Sequence, residues 1–566
     1  MKAFSCLVRG LIAGGILLLA AANARANVYA TDLKLNGSAT QASISVGNGA
    51  LIGYILSDDA TLGVSINILS NNTPVRVITV PTNALATRGT GVSLGTNLVF
   101  WDGKDDEGAA VGFGNFTFKV MAASAGHADW TLLTTNAIKT TNASGDYYAY
   151  APRGIAVDND SNSLSYGRVF VGNAATGFKP GSIAGDNDTI LKFNADGSAA
   201  DDGAFGDGGY PIADYNDRLP EKLRMGDDGR LYMNDRTSQG QTVAGEIVAF
   251  DKELTTNEVV LSQNNYQDNP FFFSLELDDN GAGWFAMDVT TGGTNGQVWL
   301  GGYSAGGAGG WFWNLVNGMA DPTDDIGQWA IYAGAGGSLS LDASGGLMVD
   351  KRTNVFVSQY VDGAGAPDNR CMMFTNVAGV APETNAFWAV GAGDDTFQDV
   401  FDTTIDSRSQ PHYVACAMSG PNVGGLRILS ATNGATLAAN LDPANTYFAT
   451  AWDNVGNLYA ACDSLHGWRV WSPPSGPNSS TTIGQTVLKT VDSLTILNVT
   501  DKANVITVTF TAPSTNALSN FKLYGSSDVV ENYAAEPASF TNGAVAGVFI
   551  ATTTNTSPVQ FYRIKR

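Results

Sequence analysis

Apolar residues in this chain come in short runs, several alternating with polar ones, and each run stops at a turn signal. In Val64-Ser65-Ile66-Asn67-Ile68-Leu69, Val64, Ile66 and Ile68 fall on one side and Ser65 and Asn67 on the other, the period of a half-buried strand. Phe116, Phe118 and Val120 likewise share a face, with Thr117 and Lys119 turned out. Residues 53–56, 75–80 and 98–101 are further strand-like runs. Between them stand Asn71-Asn72-Thr73-Pro74 and the segment Asp102–Gly108, whose Asp-Gly and Glu-Gly pairs supply the positive-φ positions that close hairpins.

From residue 130 to 475 the pattern repeats. A unit of apolar-x-apolar-Asp, a turn and a second β run occurs at Ile155-Ala156-Val157-Asp158 with Val169-Phe170-Val171. It recurs near Asp227, Asp278, Asp342, Asp406 and Asp453. The gaps between these six aspartates are 69, 51, 64, 64 and 47 residues. A four-stranded propeller blade takes about 40–50 residues, and inserted loops account for the excess. One such unit cannot bury both its faces, so stacking around a closed ring is the physical solution. The spacing predicts six blades, with seven as the alternative, and residues 129–139 as the strand that closes the ring. A parallel β-helix is the competing architecture, with rungs nearer 20–30 residues. Residues 472–484, rich in Pro and Ser, read as a linker. Strand-like runs at 505–510, 521–524 and 560–564 predict a small β-sandwich over 485–566. The chain is thus expected to be all-β: residues 27–123 as a first domain, 124–475 as a propeller, and the C-terminal module.

The N-terminus changes the picture. Lys2 and Arg9, an apolar run over 11–22, and Ala24-Arg25-Ala26 form the pattern of a secretory signal peptide over residues 1–26. The apolar run is short of the ~20 residues that span a bilayer, and no later run approaches that length. The mature chain is therefore expected to be secreted, extracellular, cell-surface or periplasmic, with no transmembrane segment. Its loss removes three basic residues and no acidic one, moving the net charge from -22 to about -25. So acidic a surface repels phosphate backbones and excludes nucleic-acid binding. Cys371, Cys416 and Cys462 remain, an odd number whose spacings of 45 and 46 residues suggest buried thiols at related blade positions.

Two stretches carry a family resemblance. Trp101-Asp102-Gly103-Lys104-Asp105-Asp106-Glu107-Gly108 followed by Gly114-Asn115-Phe116-Thr117-Phe118 resembles the FlgD-type immunoglobulin-like domain of secreted bacterial multidomain proteins, with Phe where Tyr is usual. The resemblance covers about 90 residues and implies a β-sandwich with an adhesive or spacing role. Gly154-Ile155-Ala156-Val157-Asp158, Val169-Phe170-Val171 and Ile190-Leu191-Lys192-Phe193-Asn194-Ala195-Asp196-Gly197 are similar to NHL-type propeller repeats. The likeness is good for the first unit and loose for the others.

Candidate chemistry is sparse. Gly302-Tyr303-Ser304-Ala305-Gly306 fits a nucleophile elbow, but the Gly-rich segment after it is a poor helix start. Only His127, His412 and His466 exist, and His412 reads as a packed strand residue. Asp158 and Asp160 begin like a calcium loop yet lack the glycine and glutamate of an EF-hand, leaving a non-EF Ca²⁺ turn there or at Asp186 and Asp188. Trp299, Trp311 and Trp313, around a glycine stretch at 301–310 expected to be a loop, are candidates for stacking on sugars. The leading expectation is a non-enzymatic binding or structural protein whose propeller presents a face to an extracellular protein or polysaccharide. The alternative is a metal-dependent hydrolase or lactonase similar to gluconolactonase-type enzymes, in which the repeat aspartates would converge on the channel axis.

Overall fold

The computed structural model describes residues 27–565 apart from 46–47, 83–88, 90, 113, 135–150, 175–187, 201–209, 212–219, 236–246, 262–285, 289–296, 305–306, 317–318, 321–327, 335–343, 351, 353, 360–369, 376–385, 392–396, 398, 407–411, 420–423, 492–493, 513–516, 527–532, 545–547 and 555–560. The described residues form β-strands joined by turns, with a short 3-10 turn at Leu518–Asn520.

Six antiparallel sheets form the central body among the described residues. Their innermost strands are Pro152–Val157, Pro220–Met225, Ala286–Asp288, Ser344–Val349, Val400–Ile405 and Tyr447–Trp452, opening blades 1 to 6 in chain order. Each innermost strand packs beside the next, and the sixth returns to the first, so the ring is closed. The sixth blade takes its outer strand from Thr131–Thr134, which pairs antiparallel with Gly467–Ser472. Pairing a strand from the start of the propeller with the last blade ties the two ends of the ring together.

The blade strands are apolar on both faces because each blade is covered by two neighbours. Leu458–Cys462 is buried at every residue. Ile155, Val157, Val169 and Val171 of blade 1 pack on Tyr459, Trp468 and Val470 of blade 6. Phe356 and Met373 of blade 4 pack on Val414, Cys416 and Leu429 of blade 5. Cys371, Cys416 and Cys462 are buried free thiols. Cys416 and Cys462 occupy second strands, whereas Cys371 lies on the third strand of blade 4, so only two share a blade position.

The first sandwich is discontinuous in sequence. Its sheets are built from Ala30–Leu35, Ala50–Leu56 and Gly95–Trp101 on one side and Gln41–Ser45, Gly63–Ser70, Thr73–Val80 and Asn115–Ser124 on the other. The second sheet is completed by Asn478–Ile483 and Val487–Val491, from beyond the propeller. The segment expected as a linker therefore carries a strand. Ile483 pairs with Lys119 and Asn478 with Ser124, and Leu488 enters the core beside Phe116 and Phe118. Its backbone pairs with a free sheet edge, which Pro and Ser content does not reveal. The last module, from Thr495 to Lys565, stacks sheets of four and three strands around Phe510, Phe521 and Phe549.

Two further expectations are corrected. The glycines expected in a loop lie in strands where they are described: Gln297–Ser304 and Gly307–Val316 pair antiparallel, Gly301 with Gly310 and Gly302 with Gly309. Glycine lowers strand propensity, but its amide and carbonyl still fill a ladder when neighbouring strands flank both sides. The repeat aspartate of blade 4 is not Asp342, which lies outside the described residues. It is Asp350, immediately after the inner strand Ser344–Val349.

Candidate functional site: the acidic mouth of the channel

The inner strands end at one face of the propeller, and in blades 1, 2, 4, 5 and 6 the segment that follows opens with or carries an aspartate, Asp158, Asp227, Asp350, Asp406 and Asp453. Asp278 lies outside the described residues. In blade 6 the Asp453 Oδ1 accepts the amides of Val455, Gly456 and Asn457 at 3.0, 2.7 and 2.7 Å, and Oδ2 accepts Asn457 Nδ2 at 2.8 Å. Burial pushes the Asp453 carboxyl up to about 7, against the downward pull of those donors. Blade 4 repeats the device: Asp350 Oδ1 accepts the amides of Arg352 and Asn354 at 2.7 and 2.9 Å, and Oδ2 accepts Asn354 Nδ2 at 2.7 Å. An Asp with an Asn four residues later is thus a turn clamp that joins the first two strands of a blade. In blade 5 a longer connection does the same, Asp406 Oδ2 accepting the amides of His412 and Tyr413 at 2.8 and 2.9 Å. His412, expected in a strand, is an exposed residue of that connection, just before Tyr413–Ser419.

Blade 1 departs from this pattern. Asp158 is only 1% exposed, and its Oδ1 accepts the Asp160 amide at 3.0 Å and Lys252 Nζ at 3.1 Å. Lys252 also reaches Asp160 Oδ2 at 3.3 Å. The second oxygen of Asp158, Oδ2, is buried without a hydrogen-bond partner. The Asp158–Asp160 pair proposed from sequence as a cation turn therefore already faces a cation of the chain itself, the ammonium of Lys252.

These turns rim a cavity of about 500 Å³ at the channel mouth. Its walls mix carboxylates with apolar side chains, among them Met225, Met348, Ile405 and Trp452. Trp452 is fixed from behind: its ring stacks on Tyr413 at 5.8 Å and its Nε1 donates to Thr404 Oγ1 at 3.1 Å.

Deeper in, charged side chains cross the channel. Arg224 of blade 2 donates to Asp402 Oδ1 of blade 5 at 2.7 Å, and Asp402 Oδ2 accepts the Thr450 amide at 2.9 Å. Lys222 Nζ donates to the carbonyls of Phe401 and Phe448 at 2.6 and 2.8 Å. Burial lowers the pKa of Lys222, and Asp402 opposes that shift. This plug spans from blade 2 to blades 5 and 6 and gives the cavity a floor. Neither Lys222, Arg224 nor Asp402 stands out in the sequence, because their meeting needs the ring to close.

The other sequence candidates sit elsewhere. Asp186 lies outside the described residues. Asp188 opens the strand Asp188–Phe193, opposite Ala174, and its side chain is outside the description. The side chains of Trp299, Trp311 and Trp313 are likewise outside it. The backbone register pairs Trp299 with Phe312, Trp311 with Leu300 and Trp313 with Val298. Ser304 ends a hairpin strand opposite Gly307, without the strand-to-helix turn an elbow requires. The acidic run after Trp101 closes turns: Asp105 Oδ1 accepts the amides of Glu107 and Ala109 at 3.1 and 2.8 Å. Among the described residues no three His, Cys, Asp or Glu side chains are grouped so as to hold a metal ion, and no helix is long and apolar enough to cross a membrane.

The fold defines an all-β protein built around a six-bladed propeller. No family model matches the chain, and no curated protein matches it. Among solved structures it is similar to the WD40 β-propeller domain of Doa1, at 10% identity over 61% of this chain and 97% of that one, with a TM-score of 0.34. A second similarity is to the hydrazine synthase of Kuenenia stuttgartiensis, at 10% identity over 59% and 98% of the two chains and a TM-score of 0.32. A third is to the GH74 enzyme of Niastella koreensis, at 13% identity over 94% and 93% and a TM-score of 0.24.

Proposed function

We propose that this chain is an exported binding protein whose propeller receives its ligand at the acidic channel mouth. The signal-peptide pattern of residues 1–26 supports export. The motif from Trp101 to Phe118 supports reading the first sandwich as a FlgD-type module, and the first blade supports an NHL-like ring. The observation that carries the proposal is the floored cavity of about 500 Å³ at the mouth, the size of a small-ligand site, with convergent polar groups set in apolar walls. A hydrolase of the gluconolactonase type would need repeat carboxylates free to converge on a metal. Asp350 and Asp453 instead use both oxygens on turn clamps.

The test is a screen of the full chain on glycan and peptide arrays beside the variant Asp227→Trp. Asp227 is exposed on the cavity rim, so an indole there obstructs the mouth. Ligands retained by the wild type and lost by the variant support the proposal. No retained ligand, or equal retention by both proteins, overturns it.

A further inference from the structure

Within the proposed binding role, and resting on it, the geometry points to the chemical class of the ligand: we infer that the channel mouth binds an organic cation, an ammonium or guanidinium carried on an apolar stem. The first observation is the built acceptor. Asp158 is 1% exposed and lines the cavity, and its Oδ2 has no hydrogen-bond partner. A buried carboxylate oxygen left in this state is costly unless a donor reaches it. The second is the internal precedent: the Lys252 ammonium already lies against Asp158 and Asp160 at 3.1 and 3.3 Å, so this corner accepts an alkylammonium.

The third observation is the charge of the mouth. Among the described residues Asp158, Asp160, Asp227, Asp228, Asp350 and Asp406 line it, against Lys252 and Arg224. Arg224 is neutralised by Asp402 at 2.7 Å, and Arg230 and Arg352 offset Asp228 and Asp350 at 2.7 and 3.2 Å, which leaves carboxylates in excess. An anion would meet a net negative wall. The fourth is the apolar remainder, where Met225, Met348, Ile405 and Trp452 offer a surface to a chain of methylenes and leave the charged end to Asp158. A hydrated metal ion has no use for that surface.

The experiment is isothermal titration of the full chain with n-pentylamine, with 1-pentanol as its neutral counterpart, and with N-acetyl-lysine methylamide as the side chain of a peptide. The amine is expected to bind and the alcohol not. Asp158→Asn weakens amine binding about tenfold or more, the worth of one charged hydrogen bond. Lys252→Met leaves Asp158 and Asp160 without their internal cation and strengthens binding by a similar factor. A merely structural role for Asp158 would not predict that opposite response, and thermal unfolding confirms that each variant is folded. Binding of the lysine derivative at least as tight as that of pentylamine assigns the cation to a peptide side chain. The reverse order assigns it to a free amine.

Equal binding of alcohol and amine, or an amine affinity unmoved by both substitutions, overturns the cationic assignment. It leaves the binding role intact if arrays still show ligands lost on Asp227→Trp. Calcium that displaces pentylamine from the same site overturns it in favour of a metal. No amine binding overturns it outright.

Discussion

His127 and Asp58 show how one side-chain pair fixes the exit of the first sandwich. The His127 Nε2 lies 2.7 Å from Asp58 Oδ2, and the His127 carbonyl accepts the Ser475 amide as the chain returns from the propeller. The hydrogen bond to Asp58 is the main cause that raises the His127 pKa above its ordinary 6.5, opposed by burial. A raised folded-state value means that protonation favours the folded form. The contribution is therefore complete below pH about 6.5 and fades as the pH rises through the folded pKa. Asp58→Asn is expected to remove this dependence. The stability advantage of wild type over the variant, read from urea unfolding midpoints, should be larger at pH 5.5 than at pH 8.5. An advantage that grows toward alkaline pH would contradict it. At this scale the sequence was partly legible. The apolar-x-apolar-Asp pattern located Asp158, Asp406 and Asp453, because a carboxylate that closes a turn must sit at a fixed step after the strand. It missed Asp350, although Leu347-Met348-Val349-Asp350 has the same pattern, because Leu339-Ser340-Leu341-Asp342 offers it eight residues earlier.

Inner strands must approach one another closely at the ring axis, and blade 4 meets blade 5 with two glycines. A Cβ on Gly346 would stand 2.1 Å from the Thr403 amide nitrogen, and one on Gly345 would stand 1.8 Å from the Val400 carbonyl oxygen. Both contacts are with backbone, which cannot swing aside as a side chain can. Gly346→Ala is therefore expected to force the two blades apart and to destabilise the propeller by about 1–3 kcal/mol, the usual cost of overpacking. The measurement is the thermal unfolding transition followed by tryptophan fluorescence. An unchanged transition would show that the inner strands separate freely. The strands themselves were legible as elements because two-sided burial writes continuous apolar runs, as in Leu458–Cys462. The hairpin at Gln297–Val316 was not, since its glycines carry no side-chain pattern for a period to be read from.

At the scale of the whole molecule the propeller is an insertion in the first sandwich. Asn115–Ser124 pairs with Asn478–Ile483, and Gln41–Ser45 pairs in parallel with Val487–Val491. The junction is tied by polar contacts as well. Asn478 Nδ2 donates to Asn27 Oδ1 at 2.9 Å, Asn457 Nδ2 to the Asn27 carbonyl at 3.0 Å, and Arg168 Nη2 to Asp32 Oδ1 at 3.0 Å. The Tyr29 and Tyr459 hydroxyls meet across the same junction at 3.1 Å. A chain ending at residue 476 should therefore lose the first sandwich, because Phe116 and Phe118 lose Leu488 from their core and two strands from their sheet. A chain ending at 493 should retain it. Limited proteolysis of residues 27–124 in the two truncated chains distinguishes them, and equal protection would refute the insertion.

By itself the sequence determined the all-β class and the repeating unit, because strand period, turn chemistry and repeat spacing are local properties of the chain. It left six blades or seven, and the closed ring decided for six. It also singled out Asp158 and Asp160. Only the tertiary structure decided that Lys252 lies against them, that Lys222 and Arg224 cross to Asp402 and the carbonyls opposite, and that residues 478–491 rejoin the start of the chain. Each of those contacts joins side chains or strands from 92 to more than 400 residues apart. Their partners are chosen by how the ring closes, which no local pattern encodes.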